Sequence, residues 1–208
     1  MRLKMIKWTN VLKKETRDAI NIFLANGGTF EIANYATYNT KKYNVLCQAI
    51  PGKVNCLENP LILDDVSNKF NQRLNKKIFS CIDLDVYKKS NLLILTGDFN
   101  VNVSIGNKAV AVNINYPITL SSNAINITRS EFTRTINVPL GELIKGANDV
   151  LRSESTVGGF NPVIYGLISL NKYEIEIKTF YPNKFYFIGL TNSPYKLKFA
   201  VTGNDRFA

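Results

Sequence analysis

Sixteen carboxylates and no histidine set the side-chain chemistry open to this 208-residue chain. Without imidazole there is no Ser-His-Asp or Cys-His pair, no side chain that ordinarily titrates near neutral pH, and no histidine zinc ligand. Asp83 and Asp85 would point to the same side of an extended segment, as half of a calcium site or an acid/base pair does. Asp98 or Glu131 would complete such a site. Asp64-Asp65 is a second acidic pair, and either residue also suits a helix N-cap. Cys47 and Cys56 enclose eight residues that include Pro51-Gly52, a turn able to bring the two thiols together. One bridge would leave one thiol over; the alternative is three reduced, mostly buried cysteines. No CxxC pair, GxGxxG or Walker loop occurs. Gly141 to Gly146 has phosphate-loop spacing, but Ala147-Asn148 stands where Lys-Ser/Thr would reach phosphate and magnesium. No catalytic residue, metal or cofactor is expected.

The cations are numerous. Net charge is +10, with 15 basic and 8 acidic residues in 1–89 against 11 and 8 in 90–208. Such a balance steers polyanions toward the first half, and interspersed Asp and Glu equally describe a solvated surface. Lys69, Arg73, Lys76 and Lys77 are the candidate contacts to a polyanionic glycan or nucleic acid. Tyr35, Tyr38, Lys41, Lys42 and Tyr43 come closest to the mixture of bases and aromatics that nucleic-acid surfaces use. Asn102-Val103-Ser104 and Asn126-Ile127-Thr128 are glycosylation sequons, meaningful only in an exported chain.

Alternation from Phe99 to Tyr116 predicts an element whose wet face carries amides and a hydroxyl, with no acid, base or thiol. Phe99, Val101, Val103 and Ile105, then Val110, Val112, Ile114 and Tyr116, alternate with asparagines, a serine and an alanine around Gly106-Asn107-Lys108. Successive side chains on a strand face opposite ways, so this is a hairpin with one apolar and one amide-rich face. Upstream, Trp8, Val11, Leu12, Ala19, Ile20, Phe23 and Leu24 predict an amphipathic helix stopped by Asn26-Gly27-Gly28. Thr29–Tyr35 and Tyr43–Ile50 predict a second hairpin, with 51–60 a loop. Val66, Phe70, Leu74, Ile78 and Cys81 form one helical stripe, predicting a helix near 65–81. Ala124–Thr128 and Phe132–Leu140 predict separate strands, with a turn at Ser121-Ser122-Asn123. Leu143, Ile144, Ala147, Val150 and Leu151 predict a short helix near 141–152. Residues 153–160 read as a loop, and 162–170 as strand or helix. Three strands follow, from Tyr173, Phe185 and Tyr195, separated by turns at Tyr181-Pro182-Asn183-Lys184 and Ser193-Pro194.

These elements predict an α+β fold, mostly antiparallel β-sheet or sandwich, in one domain spanning 1–208. Residues 1–28 form a helical arm that docks on the domain or on a partner. The mean hydropathy of -0.07 argues against a membrane-embedded bundle, and no run of about 18 apolar residues would span a bilayer. The basic start, Met1 to Lys7, lacks the apolar stretch and cleavage site of a signal peptide.

The string Val110-Ala111-Val112-Asn113-Ile114-Asn115-Tyr116-Pro117-Ile118-Thr119-Leu120 resembles a group of N-terminally anchored surface proteins of small-genome (DPANN) archaea. Their "VxVNYP" strand follows a helix ending in a Cys-Ile pair, here Cys81-Ile82. The likeness continues through Ile136–Val150 and Pro194–Val201, covering roughly residues 64–201. It implies an exported domain and brings no activity with it. It also implies that Cys81 pairs with an earlier cysteine, for which Cys47 and Cys56 are the candidates. The family's anchor and its early cysteine are missing here, so membrane contact is expected only through a segment absent from this chain.

The leading expectation is therefore a non-enzymatic exported structural or adhesion domain on the cell surface, extracellular and self-assembling as a homo-oligomer or filament. Asn102 and Asn126 would then be glycan acceptors. The alternative is a cytoplasmic basic module binding nucleic acid or another polyanion.

Overall fold

The computed structural model describes residues 2–53, 55–82, 93–121 and 126–203, with side chains from Asn10 onward. The fold is α+β, with four helices and ten strands among the described residues.

Helix α1 (Arg2–Ala25) buries Leu12, Thr16, Ala19, Ile20, Phe23 and Leu24, one face at i, i+4, i+7 spacing. It ends where Gly27 and Gly28 adopt φ of 68° and 85°. The Gly28 N–H donates to the Phe23 carbonyl at 2.9 Å, closing the last turn. A Cβ on Gly28 would meet Leu61 at 2.5 Å, so left-handed backbone and close packing both require glycine here. The helical arm thus packs on its own chain, against α2 (Leu63–Phe79) and two of the strands described below.

The larger sheet has six strands: β1 (Tyr35–Tyr38), β2 (Lys41–Ala49), β3 (Cys56–Glu58), β8 (Tyr173–Phe180), β9 (Asn183–Leu190) and β10 (Lys196–Val201). Its order is β1-β2-β10-β9-β8, with β3 also on β2, and only the β2–β10 pair is parallel. The first hairpin is shifted from the expected one: its first strand is Tyr35–Tyr38, not 29–35. Asn39 and Thr40 both take positive φ, 47° and 65°, making a two-residue turn whose twist matches the strands and fixes Tyr38 opposite Lys41. The loop expected over 51–60 contains β3, held by pairing with β2.

The second sheet is built on β6 (Val110–Ser121). One edge of β6 pairs with β5 (Asn100–Ile105) and then β4 (Leu93–Thr96); the other pairs with β7 (Asn126–Ile136). The expected hairpin is present, but β6 does not stop at Pro117. Between the Asn115↔Glu131 and Ile118↔Arg129 pairs, Tyr116 and Pro117 lie opposite Ser130 alone. This bulge absorbs a residue without a backbone donor, so strand pairing continues past it. Likewise β7 is one strand where two were expected.

Helix α3 (Leu140–Val157) is longer than expected, running through 153–157 to Gly158, whose φ of 76° caps it. Residues 162–170, read as strand or helix, hold α4 (Pro162–Ile168). Its N-cap Asn161 accepts from the Val163 and Ile164 N–H groups at 3.0 and 3.1 Å. In α2 the N-cap is Ile62, and Asp64 and Asp65 occupy the first turn instead, where they complement the helix dipole. The stripe Val66, Phe70, Leu74 and Ile78 is buried as expected, while Cys81 lies beyond the helix and is exposed.

The main core joins the inner faces of both sheets to α1, α2 and α3. A smaller cluster of Ala36, Tyr43, Val45, Phe185 and Ala200 fills the other face of the larger sheet.

Candidate binding face

The apolar side of the β5–β6 hairpin, with Val101, Val103, Val110, Val112, Ile114 and Tyr116, is buried in the main core. The hairpin's other side therefore faces solvent. There the register sets like against like: Asn100 lies opposite Asn115 and Asn102 opposite Asn113. β7 extends each row, adding Glu131 beside Asn115, Thr133 beside Asn113 and Thr135 beside Ala111, which in turn faces Ser104. Eight of these nine residues are exposed, and only Glu131 carries charge. The Thr133 hydroxyl donates to Asn113 Oδ1 at 3.3 Å. Opposite side chains in such pairs are about 5 Å apart at Cβ. The face is a lattice of amide and hydroxyl donors and acceptors, suited to neutral polar ligands such as the hydroxyl pairs of a glycan.

Helix α2 packs against β5 of this sheet. The Val103 N–H donates to Asn71 Oδ1 of α2 at 2.7 Å, satisfying a donor on the outer edge of β5. That contact covers part of an edge that a strand from another subunit would otherwise pair with.

Asn102 sits within the lattice, and Asn126 lies exposed near its far end, accepting from the Ser121 hydroxyl. Lys69, Lys76 and Lys77 are exposed on α2 and not on the amide face. Arg73 is half-buried, its guanidinium 4.7 Å from the centroid of the Phe30 ring. The expected aromatic platform is largely committed elsewhere. Tyr43 is buried against Phe185 and Phe187, Tyr38 packs on Phe185, and Lys42 lies 4.0 Å over the Tyr35 ring.

Cys47 and Cys56 form a disulfide across β2 and β3, with Cα atoms 5.4 Å apart. Cys81 is free, so the pairing implied for it by the family likeness is not the one observed. The β2–β3 ladder explains the choice, since Cys56 lies opposite Ala49, one diagonal from Cys47 on the same face. Asp83 and Asp85 lie outside the described residues. Among the described residues, no cluster of three or more acidic or cysteine side chains is placed to hold a metal ion. Asp98 and Glu131 are both exposed.

The structure adds three polar clusters, all along α3. Glu154 is buried, and Lys184 and Tyr186 of β9 bond its carboxylate. Burial and then the Glu154 hydrogen bond push the Tyr186 hydroxyl far above its ordinary pKa. Glu142 accepts from Lys172 at 2.6 Å and Tyr173 at 3.1 Å. The Tyr165 hydroxyl donates to Asp149 at 2.7 Å. Burial, then the hydrogen bond to the neighbouring carboxylate, keeps Tyr165 and Tyr173 protonated well above neutrality. These clusters tie α3 to α4, β8 and β9. One sequence signal pointed to the first: Glu154 continues the apolar spacing 143, 147, 150, 151, where a carboxylate must find a buried partner.

A cleft of about 520 Å³ lies between the α1–β1 segment, β2–β3 and the start of α2. Glu31, Asn34, Gln48, Glu58, Asp65 and Lys69 line it. Comparison with protein-family models, curated proteins and solved structures returned no match.

Proposed function

We propose that this protein is a non-enzymatic, exported structural or adhesion domain that makes its surface contacts through the β5–β6–β7 amide face. The observation that carries this reading is that face itself: four asparagines in two opposed pairs, extended by hydroxyls, on a sheet backed by the core. A neutral polar lattice binds by many weak hydrogen bonds, each contributing about 0.5–1.5 kcal/mol, so it favours multivalent contact over a single deep site. The Cys47–Cys56 bridge supports export, because such bonds persist mainly in oxidising compartments. The likeness to archaeal surface proteins is in keeping with both. Self-assembly on the surface would multiply these contacts.

Surface labelling of producing cells, with size-exclusion and electron microscopy of the purified protein, tests this reading. Labelled protein and assemblies, or cell adhesion lost in an Asn102→Arg/Asn113→Arg variant, support it. A strictly intracellular monomer, with adhesion absent, ends it.

A second reading has one observation in its favour. Lys69, Arg73, Lys76 and Lys77, at i, i+4, i+7 and i+8, share one side of α2, and the three lysines are exposed. A polyanion held there would bind with an affinity that falls steeply with salt. Heparin and nucleic-acid binding, compared with a Lys69→Glu/Lys76→Glu/Lys77→Glu variant, discriminates it.

A further inference from the structure

We propose that α4 and its flanks form a docking tip for a lipid bilayer bearing anionic headgroups. Val157, Val163, Ile164, Leu167, Ile168 and Leu170 are 55% to 88% exposed, within 14 residues of sequence. Scattered exposed apolar residues are ordinary, but a contiguous set marks an interaction surface. No charged residue occurs between Glu154 and Lys172, so the whole excursion from α3 to β8 enters an apolar medium without desolvating an ion.

The segment is mounted on the fold from one side. Tyr165 turns inward, its ring 5.3 Å from that of Phe160 and 5.5 Å from that of Tyr173, and its hydroxyl held by Asp149. Asn161 fixes the start of the helix. Leu170 and Asn171, both at φ 54°, turn the chain back into β8. The exposed apolar groups therefore sit on an anchored support.

Two properties favour a bilayer over a second protein chain. A seven-residue helix is roughly 10 Å long, comparable to the roughly 5–10 Å over which an interfacial helix sinks its apolar face into a bilayer. Insertion into a fluid interface needs no matching pocket. The surrounding charge also suits an anionic surface. Glu142 is paired with Lys172, and Asp149 accepts from the neutral Tyr165 hydroxyl, but Lys145 and Arg152, exposed on α3 seven residues apart and so on one side of the helix, outnumber it. The chain as a whole carries +10. None of its described helices is long and apolar enough to cross a membrane, so the contact is peripheral. The inference does not depend on the amide face and would hold with that face inert.

Vesicle flotation of the full chain tests it, using phosphatidylcholine vesicles with and without phosphatidylglycerol. The protein is expected to float with the mixed vesicles. Leu167→Asp/Ile168→Asp should weaken binding at least tenfold with an unchanged melting temperature. Lys145→Glu/Arg152→Glu should remove the preference for phosphatidylglycerol. Should the aspartates impair folding, the added tryptophan in Ile168→Trp should shift its emission to the blue with vesicles. Absence of flotation, flotation unaffected by the aspartates, or an unshifted emission overturns the proposal. So does a solution dimer that these aspartates dissociate in a protein that ignores vesicles.

Discussion

Lys184 Nζ lies 2.9 Å from both carboxylate oxygens of Glu154, a fork that joins α3 to β9 at the edge of the core. The Tyr186 hydroxyl bonds the same carboxylate, so all three polar groups are satisfied together. The Glu154 side chain is 4% exposed and that of Lys184 32%. This network holds the last turns of α3 in helical form, through the region whose serines and glycines read as a loop.

Removing one member leaves the others uncompensated. Glu154→Ala should destabilise the fold by about 3 kcal/mol, the low end for a broken buried pair because Lys184 retains some solvent. Glu154→Leu with Lys184→Met and Tyr186→Phe should cost much less, since no polar group is then stranded. Urea unfolding of both variants measures the difference; equal losses would show that packing, and not charge, is what Glu154 supplies.

Gly146 lies within α3, where alanine normally gains about 1 kcal/mol of helix propensity. Here a Cβ would meet the Tyr173 ring at 2.6 Å and Ile188 at 3.3 Å. Tyr173 has little room to yield, bonded to Glu142 and packed against Tyr165. The clash should win, and Gly146→Ala should lose about 1–3 kcal/mol. A raised melting temperature would contradict it.

The Lys172 hydrogen bond, reinforced by Tyr173, holds the Glu142 carboxyl below its ordinary value against the opposing effect of burial. A carboxyl lowered in the folded state stabilises it above the unfolded value, near 4.5, and that contribution is lost as pH falls through the folded value. Lys172→Met should move the acid-unfolding limb to higher pH. At neutral pH the loss should stay within about 1 kcal/mol, because Lys172 is substantially exposed. Acid titration followed by circular dichroism reads both.

The native protein should present one reactive thiol, Cys81, and three after reduction. Breaking the bridge in a Cys47→Ser/Cys56→Ser variant should cost about 2–3 kcal/mol for a loop this short. Thiol titration and thermal unfolding with and without reductant check the pairing and its contribution.

The hairpin and the α2 stripe were legible because their periodicity is local: Val101 to Tyr116 alternate, and Val66 to Ile78 recur every fourth residue. The amide face follows from the same alternation, although its pairing of Asn102 with Asn113 needed the register. What escaped was set by partners distant in sequence. β3 is a strand only because β2 lies beside it, and Pro117 stays in β6 only because a bulge leaves its nitrogen unneeded. The turns of α3 around Glu154 depend on β9, some thirty residues on. Cys81 fits the α2 stripe by spacing but falls after Ser80, the helix C-cap, and so points to solvent.

The parallel pairing of β2 with β10 also orders events in time. Residues 41–49 wait for residues 196–201, which alone bridge them to β9, and Thr202 then accepts from the Ala49 N–H at 2.8 Å. Until that stretch has been synthesised the larger sheet has no centre, and the apolar faces of α1 and α3 have nothing complete to close upon.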